Sequence, residues 1–313
     1  MKNNMQLNEN IIHTFLTDHF QTEISNIEPV EGHGEWSHTF LFSENRRKKV
    51  IRFSAYDEDF KKDLFAAQFS STHLPIPQIE EIGEAFGMFF AISPWVAGKM
   101  VDDLDAAQFR EVVPALMELL IALHKVDGSR TKGFGGFDAE GMGTVQSWRE
   151  YLTTMTGDSP DSRLRGWKEN LAKNIEAGEI YRRGRQRLLE LIPLCPEERH
   201  LVHNDLLHFN LIMNGNKVAA VIDWGCALWG DFLYDLAMFT TWQFYYPAMA
   251  GINFVEEARR AFSRKNIPLP NYLERLQCYQ LHLLLDSLAY NAWKENNENL
   301  DLTVTRMKEI LME

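Results

Sequence analysis

The chain has 313 residues, a formal net charge of -12, 45% hydrophobic and 12% aromatic content, and three cysteines. That length exceeds what one compact core usually holds, so two lobes are expected, and the acidic balance speaks against nucleic acid, whose backbone demands a surplus of lysine and arginine. The first ten residues lack an apolar signal-like stretch and no later apolar run is long enough to span a bilayer, so the expectation is a cytoplasmic protein with no membrane partner, by default a monomer; the acidic charge suits a small cationic partner but is accounted for more simply by solubility.

Residues 8 to 20 (NENIIHTFLTDHF) place apolar side chains at helical spacing. From about 24 to 53 short β-rich runs, SHTFLF and KKVIRFS, alternate with polar turn clusters such as SENRRK. DEDFKKDLFAAQFSSTHL reads as a helix stopped at LPIP, where Pro75 and Pro77 forbid continuation. Two more β-like runs end in MFFAISPW, giving a small, mostly antiparallel sheet with one inserted helix. After the linker-like SPWVAGK, AAQFREVVPALMELLIALHKVD carries a long apolar stripe that opens a mainly helical second lobe. GFGGFDAEGMG reads as a glycine-rich loop, followed by SWREYLTTM and helical patterns to residue 193; further helices follow residue 230. Cys195, Cys226 and Cys278 are odd in number, widely spaced and without CxxC, and are expected to be ordinary buried thiols.

The stretch HLVHNDLLHFNLIMNGNKVAAVIDWG (200 to 225) carries the chemistry. Asp205 and Asn210 flank LLHF, and the strand-like runs LIM and KVAAVIDW are separated by the turn NGNK. A loop, a short hairpin and a second loop would gather Asp205, Asn210 and Asp223 at one end of the hairpin. One Asp plus one Asn is a sufficient protein contribution to Mg²⁺, which completes its shell with water and phosphate. The spare Asp can accept a hydroxyl proton. Those are the requirements of phosphoryl transfer, in which an enzyme positions reactants and neutralises charge.

His203-Asn204-Asp205 with Asn210 is similar to the H-x-D-x-x-x-x-N catalytic loop of the protein-kinase-like fold, and Ile222-Asp223-Trp224-Gly225 resembles its D-F-G position. Trp in that place resembles the aminoglycoside phosphotransferase family. Within it, LPIP at 74 to 77, GFGGF at 133 to 137, SWR at 147 to 149, HLVHND at 200 to 205, AVIDW at 220 to 224 and GD at 230 to 231 occur in the order found in the hygromycin B phosphotransferases, over about residues 12 to 247. The resemblance implies a two-lobed α+β protein-kinase-like fold, with a small β-rich nucleotide-binding lobe over 1–92, a hinge over 93–98 and a larger, mainly helical catalytic and substrate-binding lobe over 99–313. It implies a cytoplasmic, ATP- and Mg²⁺-dependent transferase that phosphorylates a hydroxyl of an aminoglycoside, hygromycin B or a relative, and so gives antibiotic resistance.

Carried onto these residues, Asp205 is the base or orienter, Asn210 and Asp223 hold Mg²⁺, and Arg52 takes the strand position of the phosphate-binding lysine, paired with Asp63 on the helix. The segment Glu31 to Ser37 lies where a nucleotide loop belongs, with Ser37 as a possible donor, although it lacks a full GxGxxG. Ser93-Pro94-Trp95 marks the hinge, with adenine accepting from the Trp95 N–H and donating to the Ser93 carbonyl. Asp231 is expected to cap the next helix and brace the catalytic loop, Asp235 to be structural, His203 to tie the loop to the core, and His208 to pack. Leu207, where protein kinases keep a lysine, favours a small-molecule kinase. Trp229, Trp242, Tyr245 and Tyr246 form an aromatic group expected to meet the acceptor, with Asp205 touching its hydroxyl. The alternatives are a metabolic kinase of choline, an amino sugar or a thioribose, and a nucleotide-binding pseudokinase; retention of all three oxygen ligands speaks against the latter.

Overall fold

The computed structural model describes residues 7–30, 37–154, 164–207 and 209–312. Helix α1 (Glu9–Phe20) starts where the Asn8 side chain accepts the Ile11 N–H, and it buries Ile12 and Leu16 completely. Those two residues join Phe40, Phe42, Ile51, Phe53, Phe90 and Ile92 in one apolar cluster. Each such side chain withdrawn from water contributes roughly 1.5–3 kcal/mol, which fixes α1 on the sheet. The sheet comprises β1 (Ile24–Pro29), β2 (Ser37–Glu44), β3 (Arg47–Ser54), β4 (Glu81–Ala85) and β5 (Met88–Pro94), in the antiparallel order β1-β2-β3-β5-β4. Helix α2 (Glu58–Ala67) is inserted between β3 and β4 and ends before the LPIP segment. LPIP then packs inward: Leu74 and Ile76 are buried, and the Pro75 carbonyl accepts the Val221 N–H at 2.8 Å.

After β5, the two-residue strand β6 (Lys99–Met100) leaves the first sheet and pairs with the hairpin β10 (Leu211–Asn214) and β11 (Lys217–Val221). Between them in sequence, α3 (Ala106–His124) opens on a capping box from Asp105 to Gln108, which satisfies otherwise orphaned backbone donors. The expected glycine-rich loop is instead strand β7 (Phe134–Phe137), paired with β8 (Gly143–Val145). Gly135 adopts φ +73 there, and a Cβ on it would meet the Tyr151 ring at 2.6 Å, so glycine is required on both counts. With β9 (His200–Val202) and β12 (Leu228–Gly230) this hairpin completes a sheet of order β8-β7-β12-β9.

Helices surround these small sheets: α4 (Trp148–Thr153), α5 (Trp167–Ala172), α6 (Ile175–Leu191), α7 (Leu233–Trp242), α8 (Phe254–Arg264), α9 (Tyr272–Trp293) and α10 (Asn297–Met312). α7 is buried along its whole length and α9 along most of its length, so neither shows a polar stripe. A β-rich first region and a helical second region are thus both present, as the sequence patterns lead one to expect. Among the described residues, no helix is long and apolar enough to cross a membrane.

Candidate active site

The hairpin brings the three motif residues together. Asp205 lies in the loop before β10, Asn210 immediately precedes that strand, and Asp223 follows β11. The Ile222 N–H donates to the Asn210 carbonyl at 3.0 Å, tying the end of β11 back to the loop. Asn210 is buried, and its Nδ2 donates to the Asp205 carbonyl at 2.7 Å and to Asp205 Oδ2 at 3.0 Å. Its Oδ1 is thereby turned away from Asp205. Asn204, Phe209 and Asp223 all adopt left-handed backbone, with φ of 64, 69 and 62. Such conformations in residues with a side chain cost of order 1–3 kcal/mol each and persist only where the surroundings hold them.

The holders are identifiable. Asp235, 1% exposed, accepts the N–H groups of His203 at 2.9 Å and Asn204 at 2.8 Å through its two oxygens. Burial pushes its carboxyl up to about 7, with the two backbone donors acting in the opposite direction. His203 donates from Nε2 to the Ile222 carbonyl at 3.0 Å, and burial lowers its pKa to about 4, so it is neutral at physiological pH. It ties the loop to the hairpin and stacks edge-on against Trp224, as the sequence suggests.

Asp231 departs from expectation. It accepts the Leu233 N–H at 3.0 Å at the start of α7, where Phe232 is the N-cap, but the loop that carries Asp205 is braced by Asp235 instead. Its carboxylate is fully buried and grips Arg275 of α9 through Nε at 2.8 Å and Nη2 at 2.6 Å, with the Tyr279 hydroxyl donating to the same group.

Arg52 projects from β3 and pairs with Asp63 of α2, as expected from their positions. Asp63 has a second task, because its other oxygen accepts the Trp224 N–H at 2.7 Å. One carboxylate therefore connects the cation to the residue beside Asp223. Lys62, its neighbour on α2, donates to the Gly225 carbonyl at 3.1 Å. Burial works against the charge on Arg52, but Asp63 and Asp223 outweigh it and raise the pKa, so the guanidinium stays charged. Asp223 remains open to solvent, yet desolvation by the neighbouring protein raises it, with Asp63 adding to the rise and Arg52 opposing it. Burial and then Asp223 push Asp205 up to about 7. Carboxylates held this way gain from a cation placed between them.

Other expected residues require correction. The Trp95 N–H donates to the Lys48 carbonyl at 3.1 Å, so it extends the sheet and is not offered to a nucleotide. In an antiparallel ladder backbone groups alternate sides. Ser93, paired with Val50, faces β3 like Trp95, which leaves the Pro94 carbonyl directed outward past the end of the β4 pairing. Trp229, expected at the acceptor, is fully buried: its Nε1 donates to the Gly141 carbonyl at 2.8 Å and Arg199 lies over its ring at 4.2 Å. Trp242 is 9% exposed and sits 5.9 Å from the half-buried Tyr245, which leans on Thr303 of α10. Cys226, expected to be buried, is exposed beside Asp223, and its carbonyl accepts from Asn204 Nδ2 at 3.3 Å. Ser37 begins β2 opposite Ser54; residues 31 to 36 and His208 lie outside the described residues.

Comparison with known proteins agrees with this architecture. A model of the phosphotransferase enzyme family matches residues 29–276. Hygromycin-B 4-O-kinase of Escherichia coli is 29% identical over 297 residues, covering 93% of this chain and 82% of that protein. A thermostable mutant of the aminoglycoside phosphotransferase APH(4)-Ia, solved as a ternary complex with AMP-PNP and hygromycin B, superposes with a TM-score of 0.82 at 28% identity, over 96% of this chain and 98% of that one. Aminoglycoside 2'-phosphotransferase-IIIa in its GDP complex shares the fold, with a TM-score of 0.62 at 15% identity over 98% and 99% of the two chains. With the loop, the hairpin and the Arg52–Asp63 pair assembled in one place and the family match spanning most of its length, this chain belongs to the phosphotransferase enzyme family and is a small-molecule kinase.

Proposed function

We propose that this chain transfers the γ-phosphoryl group of ATP to a hydroxyl of hygromycin B or a closely related aminocyclitol antibiotic, and so confers resistance. The observation that carries the reading is the gathering of Asp205, Asn210 and Asp223 at one end of a hairpin that also meets the Arg52–Asp63 pair. The kinship with Hygromycin-B 4-O-kinase and with a structure holding AMP-PNP and hygromycin B supports the substrates. The net charge of -12 is compatible with a polycationic acceptor.

The donor set fits Mg²⁺. Asn210 Nδ2 is spent on Asp205, which leaves its Oδ1 turned away, and the Asp223 carboxylate stays solvent-accessible, so two hard oxygens could hold the cation. Bound there with ATP, Mg²⁺ would neutralise charge on the phosphate oxygens. Arg52, held by Asp63, offers its guanidinium to the phosphates. The Pro94 carbonyl, free of the sheet on its outward side, is the hinge group that would meet adenine. Asp205 accepts or orients the acceptor hydroxyl, its carboxyl raised by burial and by Asp223. Residues 1–92 act as the nucleotide lobe, 93–98 as the hinge and 99–313 as the catalytic and acceptor lobe.

ADP release by the purified protein with Mg²⁺, ATP and a panel of hygromycin B, other aminoglycosides, choline and amino sugars tests the assignment. Hygromycin B should give saturable ADP formation and raise the tolerance of a susceptible bacterium expressing the chain. Release with choline or an amino sugar in place of every aminoglycoside would make this a metabolic kinase.

A further inference from the structure

A second carboxylate grips the catalytic loop at the end opposite Asp235. Asp102 lies in the one-turn 3-10 segment Val101–Asp103 immediately after β6, which is fixed by pairing of Met100 with Ile212 and of Lys99 with Met213. From there Asp102 Oδ2 accepts the Phe209 N–H at 2.8 Å, across 107 positions of sequence. Phe209 adopts φ 69 with its side chain 38% exposed, a conformation whose amide Asp102 meets directly. The next residue is Asn210, whose carbonyl is held by the Ile222 N–H at 3.0 Å and whose amide closes the loop onto Asp205. The backbone on the C-terminal side of Asn210 is thus set by the hairpin, and the backbone on its N-terminal side by Asp102.

We infer that Asp102 is a positioning residue for phosphoryl transfer: by holding the Phe209 amide it fixes Asn210 with its side-chain oxygen toward the metal and Asp205 toward the acceptor. The inference rests on the reading of Asn210 as a metal ligand. Asp102 touches neither substrate nor metal in this role. Its place directly after the hinge makes the loop geometry depend on how the segment 99–103 is seated, a dependence that no local sequence pattern encodes.

The test compares Asp102→Ala, Asp102→Asn and Asn210→Ala in the full chain. Asp102→Asn keeps an oxygen that can accept the Phe209 N–H, whereas alanine removes it. Because displacement of about 1 Å in a reacting group can cost up to about 100-fold, Asp102→Ala is expected to lower kcat by about 10-fold or more while leaving the acceptor KM within about twofold. It should also raise the Mg²⁺ concentration needed for half-maximal AMP-PNP binding, in the same direction as Asn210→Ala, and accelerate deuterium uptake in the peptide covering 205–212. Asp102→Asn should restore protection of that peptide and return kcat to within about threefold of the parent, since a neutral acceptor replaces a charged one. The exchange and nucleotide-binding measurements need no acceptor, so they hold even if hygromycin B is not the substrate. Unchanged exchange and unchanged Mg²⁺ dependence in Asp102→Ala, with Asn210→Ala impaired, would overturn the inference. An unimpaired Asn210→Ala would instead overturn the metal-ligand reading beneath it.

Discussion

Removing the Asp231 carboxylate is expected to destabilise the helical region more than any surface substitution. Asp231 and Arg275 are both fully buried, and the carboxylate receives two guanidinium bonds, the Tyr279 hydroxyl and the Leu233 N–H. Among the described residues, the Arg275 cation in Asp231→Ala keeps the Pro270 carbonyl at 3.1 Å, a distant Glu198 at 3.8 Å and the face of the Phe232 ring at 5.4 Å. A buried charge left without its partner costs about 3–5 kcal/mol. At roughly 2 °C per kcal/mol for a chain of this size, the melting temperature should fall by about 6–10 °C. Calorimetry of Asp231→Ala, Arg275→Met and the double variant Asp231→Leu/Arg275→Met checks the reasoning. The double variant should lose less stability than the sum of the two single losses, because it leaves no orphaned charge. A melting temperature for Asp231→Ala within about 2 °C of the parent would refute the assigned role of the pair.

Asp205→Asn should reduce kcat by about 10²–10⁴-fold with the ATP KM nearly unchanged, since the carboxylate acts on the acceptor hydroxyl; near-parental turnover would remove that role. Asp63→Ala strips Arg52 of its partner and frees the Trp224 N–H. Loss of a charge-assisted contact of about 1.5–3 kcal/mol should raise the ATP KM by about 10-fold or more and leave the acceptor KM alone, and the opposite split in steady-state kinetics would refute the placement. Burial lowers His282 to about 4 from an ordinary 6.5. The folded protein holds it neutral while the unfolded chain takes up a proton below about pH 6.5, so its contribution is complete above that pH and is lost as pH falls toward 4, by at most about 3 kcal/mol. Thermal melts from pH 7 to pH 4.5 should therefore fall less steeply for His282→Gln than for the parent. Parallel slopes would show that this imidazole does not titrate on unfolding.

The proposed catalytic residues are legible because their spacing is local: Asp205 and Asn210 share one loop, and a single hairpin separates them from Asp223. Arg52 and Asp63 were legible by their offsets from the strand and from LPIP. The grips on the loop were not, because the bonds from Asp235 and Asp102 span 32 and 107 positions and leave no periodic trace. The hinge groups failed for a subtler reason. Which backbone groups face outward depends on the register of β5 against β3, and the Lys48–Trp95 bond reverses the choice a motif count suggests. Trp229 was misplaced because aromatic residues after a catalytic Asp fit a ligand wall and a core equally well. Its position in β12, between β7 and β9, buries it. GFGGF shows the same ambiguity, since the glycines that suggest a loop here permit a close-packed, bulged strand.

The most direct measurement is ADP release with Mg·ATP and hygromycin B, run side by side for the parent chain and Asp205→Asn. Transfer to the antibiotic predicts saturable, drug-dependent ADP formation in the parent, one phosphate on the recovered drug by mass spectrometry, and loss of both in the variant. Absence of drug-dependent ADP in the parent, or equal release by the two proteins, would contradict it.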